Sequence, residues 1–276
     1  MDEGIRNVTL ALQKAGLWES TLLVFSADNG GPINIAQGAG NNFPLRGGKH
    51  TAFEGGVRTV ALVAGGWLPA ALQGTVNTGY IHVADWWATF CSMIGVDPAD
   101  RKNGAEGVPG VEGVPGVDSI DMLPSLLIRN GAKTPRLEIP LHIQNGSNCS
   151  VLPPPPGSNA SSASSCALIV GDLKVVTGTQ NLLGYWTGPE HPNGTYYDAT
   201  DPGCPAGCLF NITADPTEHA DLRRSHPDLF AKMAARLAAL AQDVFDSSFV
   251  GNYTNCLDHV QYAARYKGFH GPACFE

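Results

Sequence analysis

The fold is decided by residues 21–31, which read Thr-Leu-Leu-Val-Phe-Ser-Ala-Asp-Asn-Gly-Gly. The apolar run from Thr21 to Ala27 is typical of a parallel strand that is covered on both faces. Before this run, apolar residues from Ile5 to Ala15 recur at helical spacing, and Gly16 can end that helix. A helix followed at once by a buried strand predicts an α/β fold.

Two further segments extend this pattern. Val57 to Ala64 is a second short apolar run, and residues 82–94 are predicted to form a helix. The apolar side chains of that helix fall mostly on one side, which favours burial in the core. They are Val83, Trp86, Trp87, Phe90 and Ile94.

The second half of the chain predicts a smaller subdomain. Residues 167–176 favour a β-hairpin around Gly171-Asp172, and residues 208–212 favour a further strand. Ser225-His-Pro-Asp228 is typical of an acidic capping box, and an apolar stripe follows it as far as Val244. A small antiparallel sheet with one long helix is therefore expected.

The division between these two parts is predicted near residue 135. Residues 1–135 would belong to the α/β domain, and residues 136–276 would form the α+β subdomain, with a Pro- and Ser-rich insertion at about 150–165. A tandem hexapeptide, Glu-Gly-Val-Pro-Gly-Val, fills residues 106–117. Its Pro and Gly content indicates a surface loop.

The composition limits the possible partners. With 43% hydrophobic residues the chain can bury a sizeable core, whereas a net charge of −8 argues against a broad nucleic-acid-binding face. No apolar run approaches the roughly 20 residues that span a bilayer. No nucleic acid partner and no transmembrane segment are therefore expected.

Seven Asn-x-Ser/Thr sequons indicate a glycosylated protein of the secretory pathway, in the lysosome or outside the cell. Their asparagines are Asn7, Asn145, Asn148, Asn159, Asn193, Asn211 and Asn252. Residues 1–20 show no signal-peptide pattern. The simplest resolution is that further residues precede Met1 in the full-length protein.

The cysteines point to the same compartment. Six of the seven lie in the second half, where two or three disulfides are expected. Cys204-x-x-x-Cys208 can also be interpreted as half of a zinc site, although no second pair completes it. Cys91 lies in an apolar helical stretch and is predicted to be a buried free thiol.

Candidate metal ligands follow the first strand directly. Asp28 and Asn29 offer hard oxygens suited to calcium or magnesium, at the strand end where ligands bind in open α/β sheets. An ordinary turn would also favour Asp-Asn-Gly-Gly. The pattern alone leaves both interpretations open.

A second candidate segment, residues 41–58, concentrates glycines and positive charge. Arg46, Lys49, His50 and Arg58 lie among glycines that let backbone approach an anion closely. This pattern predicts an oxyanion cradle. The alternative is a loop whose cations pair with Glu54 and nearby carboxylates.

These segments, in their order, resemble sulfatases of the arylsulfatase B type. The matching motifs include Asp28-Asn29-Gly-Gly, Asn41-Asn42 through Lys49, and Glu54-Gly-Gly-Val-Arg58. Further matches are His82-Val-Ala-Asp85-Trp86 and the segment from Leu209 to Glu218. The resemblance implies part of an alkaline-phosphatase-like mixed sheet flanked by helices.

The resemblance also implies roles for individual residues. Asp28 and Asn29 would be two ligands of a calcium ion, and Lys49 would bind the substrate sulfate and assist catalysis. Arg46 would help to bind substrate or support the site, as would Arg58, while His50 and His82 have no assigned role. The substrate would be a sulfated carbohydrate, such as glycosaminoglycan N-acetylgalactosamine sulfate, or an aryl sulfate ester.

One requirement of that family is missing from the sequence. Its nucleophile is a formylglycine made from Cys or Ser in a Cys/Ser-x-Pro-x-Arg context, and no such motif occurs in these 276 residues. Two calcium ligands are also fewer than the six to eight oxygens that calcium takes. We therefore expect a truncated or incomplete enzyme, with an exposed sheet edge that promotes self-association.

Two other functions stay open. The first is a non-catalytic glycoprotein that binds sulfated glycans through Arg46 and Lys49. The second is a phosphodiesterase of the same wider superfamily, although the histidine ligands that such enzymes use are missing.

Overall fold

The computed structural model describes residues 1–33, 40–98, 118–128, 134–143, 166–178, 184–193, 204–242 and 267. Residues 1–244 form one compact unit, and residues 245–276 form a second, of which only Lys267 is described. The predicted boundary near residue 135 stays a prediction. The following predicted features lie outside the described residues: the tandem hexapeptide, the insertion at 150–165, Val244, Asn145, Asn148, Asn159 and Asn252.

The described elements alternate helix and strand and then form an antiparallel sheet, so the predicted α/β class is confirmed. The helices are α1 (Asp2–Lys14), α2 (Glu54–Val57), α3 (Asp85–Met93), α4 (Leu123–Leu126) and α5 (Pro227–Leu240). The strands are β1 (Leu23–Ser26), β2 (Ala61–Ala64), β3 (Glu138–Leu141), β4 (Cys166–Val170), β5 (Leu173–Gly178) and β6 (Cys204–Asn211). No described helix has the length and apolarity that a membrane span requires.

Helix α1 forms where its spacing predicts it. Two acidic residues occupy its first turn and Lys14 its last, which suits the helix dipole. Gly16 follows with a φ of +69°, the left-handed conformation that ends helices. No residue of α1 is buried, so its apolar face contacts no core within the described chain.

Strand β1 differs from its prediction. It pairs antiparallel with β2, with Leu23 opposite Ala64, and neither strand contains a fully buried residue. Leu62 of β2 is 44% exposed. The prediction of a parallel strand covered on both faces is therefore wrong for the described residues.

Helix α3 is turned the opposite way from its prediction. Val83 and Ile94 are 73% exposed and Trp87 is 55% exposed. The buried face instead carries Asp85, Ala88, Thr89 and Cys91. Cys91 is a buried free thiol, as predicted.

Polar groups explain why the face of α3 with the smaller side chains is the buried one. Asp85 accepts backbone hydrogen bonds from His82 at 2.8 Å and Ile120 at 3.0 Å. Thr89 accepts one from the Met122 amide at 2.9 Å and donates one to the Asp85 carbonyl at 2.6 Å. The burial of these groups is therefore matched by hydrogen bonds, as buried polar groups require.

The C-terminal sheet has the order β3-β4-β5-β6, and all of its strands are antiparallel. The predicted hairpin is β4 and β5, joined at Gly171-Asp172, and the predicted strand at 208–212 lies within and just beyond β6. Helix α5 packs on one face through Met233 and Leu237. Ala52 and Phe53, from the glycine-rich segment, pack on the opposite face.

Two local predictions in this subdomain need correction. The start of α5 has no side-chain capping bond, so the capping box is wrong; the Ser225 hydroxyl contacts Leu222 and His226 instead. Cys204 and Cys208 form a disulfide with each other, which rules out the zinc interpretation of this pair. Cys166 is also disulfide-bonded.

Candidate functional site

Asp28 and Asn29 lie where β1 ends. Asp28 is exposed and Asn29 is half-buried. The side-chain amide of Asn29 donates to the Gly30 carbonyl at 2.9 Å, which leaves the amide oxygen available. The turn therefore presents one carboxylate and one amide oxygen beside the strand end.

The turn at 28–31 is bonded directly to the segment that carries Lys49. The backbone amide of Lys49 donates to the Gly31 carbonyl at 3.2 Å. Asn42 ties the same place together, because its side chain donates to the Gly31 carbonyl and accepts from the Gly31 amide, both at 2.8 Å. The structure thus brings together the predicted metal ligands and the residue predicted to bind sulfate.

The glycines of this region allow close backbone packing. A Cβ on Gly30 would lie 1.7 Å from the Gly55 carbonyl oxygen, and one on Gly48 would lie 2.4 Å from the Gly31 carbonyl oxygen. Both contacts are shorter than any real Cβ contact. Only glycine lets these backbone segments approach each other so closely.

The backbone amides of these glycines are already used inside the fold. Gly30 donates to Gly56 at 2.9 Å, Gly47 to Tyr185 at 2.9 Å, and Gly55 to Arg46 at 2.7 Å. An oxyanion cradle needs amides that point at the anion. These three amides are therefore not available to an anion, and the predicted oxyanion cradle stays a prediction that depends on the cationic side chains.

Arg46 is buried beneath the segment. Its Nε donates to the Gly184 carbonyl at 2.7 Å. Its guanidinium lies 3.8 Å from the ring centre of Phe53 and 4.4 Å from that of Trp186, distances typical of cation–π contact. Arg46 is therefore placed to hold the segment from its buried side.

Lys49 and its neighbours occupy the outer side of the segment. Lys49 is half-buried, and no side-chain partner for its ammonium is found among the described residues. His50 is exposed with a φ of +75°, and Arg58 is exposed with Nη1 3.6 Å from Glu54 Oε2. The pairing of Arg58 with Glu54 agrees with the alternative interpretation, whereas no carboxylate among the described residues pairs with Lys49.

A buried ion cluster lies behind Glu54, and the sequence did not reveal it. Lys174 of β5 places its Nζ 2.9 Å from Glu54 Oε1 and 2.9 Å from Glu218 Oε1. Glu218 Oε2 also accepts the backbone amide of Glu54 at 2.7 Å. All three side chains are almost completely buried.

The environment of this cluster shifts nearby pKa values. Burial raises the pKa of Glu218; Lys174 opposes that rise and Glu54 adds to it. Burial lowers the pKa of His142, and the positive charge of Lys174 adds to the decrease. Both shifts follow from placing charge in or beside a poorly hydrated interior.

The donor set at residues 28–29 fits a hard cation in type. Asp28 contributes a carboxylate and Asn29 a carbonyl oxygen, both groups that bind calcium. No cluster of three or more His, Cys, Asp or Glu side chains suited to a metal occurs among the described residues. Asp28 and Asn29 therefore stay candidate ligands for such an ion.

Three of the sequon asparagines are described. Asn7 is exposed on α1, and Asn193 is exposed at the end of the segment 184–193. Asn211 is half-buried at the end of β6, where its side-chain oxygen accepts the amides of Thr213 at 3.2 Å and Ala214 at 2.9 Å. Glycosylation of these residues stays a prediction.

The chain is similar in sequence to several known proteins. Residues 1–96 match the family model described as Sulfatase. The chain is 32% identical over 252 residues to arylsulfatase J from Mus musculus, covering 86% of this chain and 38% of that protein. It is 31% identical over 100 residues to N-acetylgalactosamine-6-sulfatase from Rattus norvegicus, covering 36% of this chain and 18% of that protein.

Among solved structures, the chain is similar to the PsFucS1 sulfatase from Pseudoalteromonas sp., with a TM-score of 0.56 and 21% identity. The match covers 86% of this chain and 40% of that chain. It confirms the predicted alkaline-phosphatase-like α/β fold. This chain spans well under half the length of each of these proteins.

Proposed function

Because residues 1–96 match the sulfatase family model, we propose that this chain carries part of the site of a sulfuric ester hydrolase. The observation that carries the proposal is the hydrogen bond from the Lys49 amide to the Gly31 carbonyl at 3.2 Å. That bond joins the backbone of Lys49 to the turn that carries Asp28 and Asn29. Sulfate ester cleavage needs positive charge at such a place, because negative charge builds on the sulfuryl oxygens.

Lys49 is the residue proposed to contact the sulfate and to assist the leaving oxygen. Its ammonium is available, since no described carboxylate pairs with it, and the chain as a whole is acidic. Arg46 is proposed to support substrate binding by holding the segment, because its guanidinium is enclosed by Phe53 and Trp186.

Asp28 and Asn29 are proposed to hold calcium. When bound, the ion would supply positive charge to the sulfuryl oxygens. Two protein oxygens meet only part of its coordination, so the remaining ligands would come from elsewhere. The formylglycine nucleophile likewise has no motif in these 276 residues.

The substrate class and compartment are part of the same proposal. An arylsulfatase B-like activity on sulfated carbohydrate or an aryl sulfate is proposed, in the lysosome or outside the cell. The seven sequons and the Cys204–Cys208 disulfide support a secretory glycoprotein.

A non-catalytic protein that binds sulfated glycans is the second candidate. It would bind through Lys49, for which no described carboxylate is a partner, and it would not need the nucleophile motif. Such binding would weaken with added salt, because it depends on a partly exposed charge.

Two assays on the glycosylated chain separate these functions. Hydrolysis of a chromogenic aryl sulfate is measured with calcium present, and binding of inorganic sulfate is measured by calorimetry. Each is repeated with Lys49→Ala and with Lys14→Ala, an exposed lysine at the end of α1. Hydrolysis that is lost in Lys49→Ala but kept in Lys14→Ala supports the enzyme. Sulfate binding without hydrolysis supports the second candidate. If the wild-type protein shows neither hydrolysis nor binding, both candidates are contradicted.

A further inference from the structure

The segment that carries Lys49 is attached to the C-terminal sheet on both sides of that lysine. Arg46 lies three residues before Lys49, and Glu54 lies five residues after it. Both side chains are buried, and both contact residues more than 100 positions further along the chain. The exposed part of the segment therefore lies between two buried attachments.

The first attachment is aromatic and polar. Arg46 donates to the Gly184 carbonyl, and Gly47 donates to the Tyr185 carbonyl at 2.9 Å. Trp186 covers the guanidinium, and its own Nε1 donates to the Thr217 carbonyl at 2.6 Å. This attachment is thereby linked to the same turn that carries Glu218.

The second attachment is the ion cluster of Glu54, Lys174 and Glu218. Lys174 is 0% exposed, and a lysine so completely buried needs opposite charge at close range. It finds that charge in Glu54 and Glu218, at 2.9 Å each. Glu218 in addition fixes the backbone of α2 by accepting the Glu54 amide.

Core packing connects the two attachments. Phe53 is fully buried and meets Phe210 of β6 edge-on, with 6.4 Å between the ring centres. Its other neighbour is Arg46, whose guanidinium lies over the Phe53 ring. Displacing Glu54 therefore shifts Phe53 and, through it, the backbone on which Lys49 stands.

We propose that Lys174 and Glu218 are positioning residues, which hold Lys49 against the Asp28-Asn29 turn from the C-terminal sheet. This inference rests on the proposed function for the role of Lys49. Neither residue touches the site itself. They act through Glu54 and the backbone of residues 46–58.

The test compares Lys174→Met, Glu218→Ala and Glu218→Gln with Arg236→Met. The control residue Arg236 joins α5 to β3 through an exposed pair with Glu138 and does not contact residues 46–58 in that pair. Glu218→Gln keeps an oxygen that can accept the Glu54 amide but removes one of the two charges opposite Lys174, so its effect should lie between those of wild type and Glu218→Ala. Circular dichroism selects the variants that fold.

Two readouts are taken on each folded variant. Hydrogen–deuterium exchange is followed in residues 46–58, and inorganic sulfate binding is followed by calorimetry. Exchange in that segment should rise in Lys174→Met and Glu218→Ala but not in Arg236→Met. Sulfate binding should fall on the order of 10- to 100-fold in the same two variants, the loss that a misplacement of about 1 Å can cause.

The readouts keep this inference separate from the proposed function. Wild-type protein that fails to bind sulfate contradicts the proposed function, while raised exchange confined to 46–58 still supports attachment by Lys174 and Glu218. Unchanged exchange in the folded Lys174→Met or Glu218→Ala variant overturns the inference. So does an equal loss of sulfate binding in Arg236→Met, because the loss of any ion pair would then explain the effect.

Discussion

Arg136 donates two side-chain hydrogen bonds to the carboxylate of Asp85, from Nε to Oδ2 at 2.6 Å and from Nη2 to Oδ1. The two residues are 51 positions apart, and both are buried. Arg136 also donates to the Asp118 carbonyl at 2.7 Å. The pair thus joins α3, the segment near residue 118 and the start of β3.

Removing one partner of this pair should cost considerable stability. Arg136→Met would leave the Asp85 carboxylate buried without its counter-charge, which typically costs about 3–5 kcal/mol. Arg236→Met, which breaks an exposed pair, should cost no more than about 1 kcal/mol. Urea unfolding of both variants measures the difference, and similar midpoints would contradict it.

The same pair should make stability depend on pH. Burial tends to raise the pKa of Asp85, but hydrogen bonds from Arg136 and two backbone amides outweigh it, so the pKa is lowered from 3.8. The unfolded state then binds the proton more readily, so the stabilisation is present above about pH 4 and is lost as pH falls through the folded pKa. Thermal unfolding of wild type and Asp85→Asn should converge toward acid pH; a constant gap down to about pH 3 would oppose this assignment.

Local patterns predicted the elements whose stability is local. The hairpin at Gly171-Asp172, the buried thiol of Cys91 and the stripe of α5 were all confirmed. Each follows from residues close together in the sequence. The turn at Asp28-Asn29 also forms where the end of an apolar run places it.

Long-range pairs could not be predicted in the same way. Glu54 meets Lys174 across 120 residues and Glu218 across 164, and no local pattern distinguishes these residues from surface charges. The orientation of α3 was predicted wrongly, because an apolar stripe on a helix ordinarily faces the core. Here the hydrogen bonds of Asp85 and Thr89 turn the other face inward.

Glycine at position 55 should be required for packing. A Cβ there would lie 2.3 Å from the Gly47 carbonyl oxygen and 2.5 Å from that of Arg46, so the backbone would have to move. Gly55→Ala should therefore lower the free energy of unfolding by about 1–3 kcal/mol. Gly4→Ala, in α1 with no atom within 4 Å, should raise it by about 0.5–1 kcal/mol. Denaturant unfolding should therefore show changes in the free energy of unfolding of opposite sign for the two variants. Equal changes would contradict the packing role of Gly55.

The exposed stripe of α3 should promote self-association. Trp87 and Phe90 of α3, with Val83 just before the helix and Ile94 just after it, lie at helical spacing and are all exposed. Val83→Lys with Ile94→Lys should lower the apparent mass in concentration-dependent sedimentation. Val76→Lys, at a residue also 73% exposed but not part of this stripe, serves as the control. If all proteins sediment as monomers, the stripe does not drive association.

Calcium should stabilise the chain through Asp28. Binding to the folded state alone raises stability by RT ln(1 + [L]/Kd), about 2.7 kcal/mol when calcium exceeds its dissociation constant 100-fold. With two protein ligands the affinity should be weak, so the melting temperature should rise only at roughly millimolar calcium. Asp28→Ala should abolish the rise, whereas Asp228→Asn, an exposed carboxylate in the first turn of α5, should keep it. A rise that survives in Asp28→Ala would place the ion elsewhere.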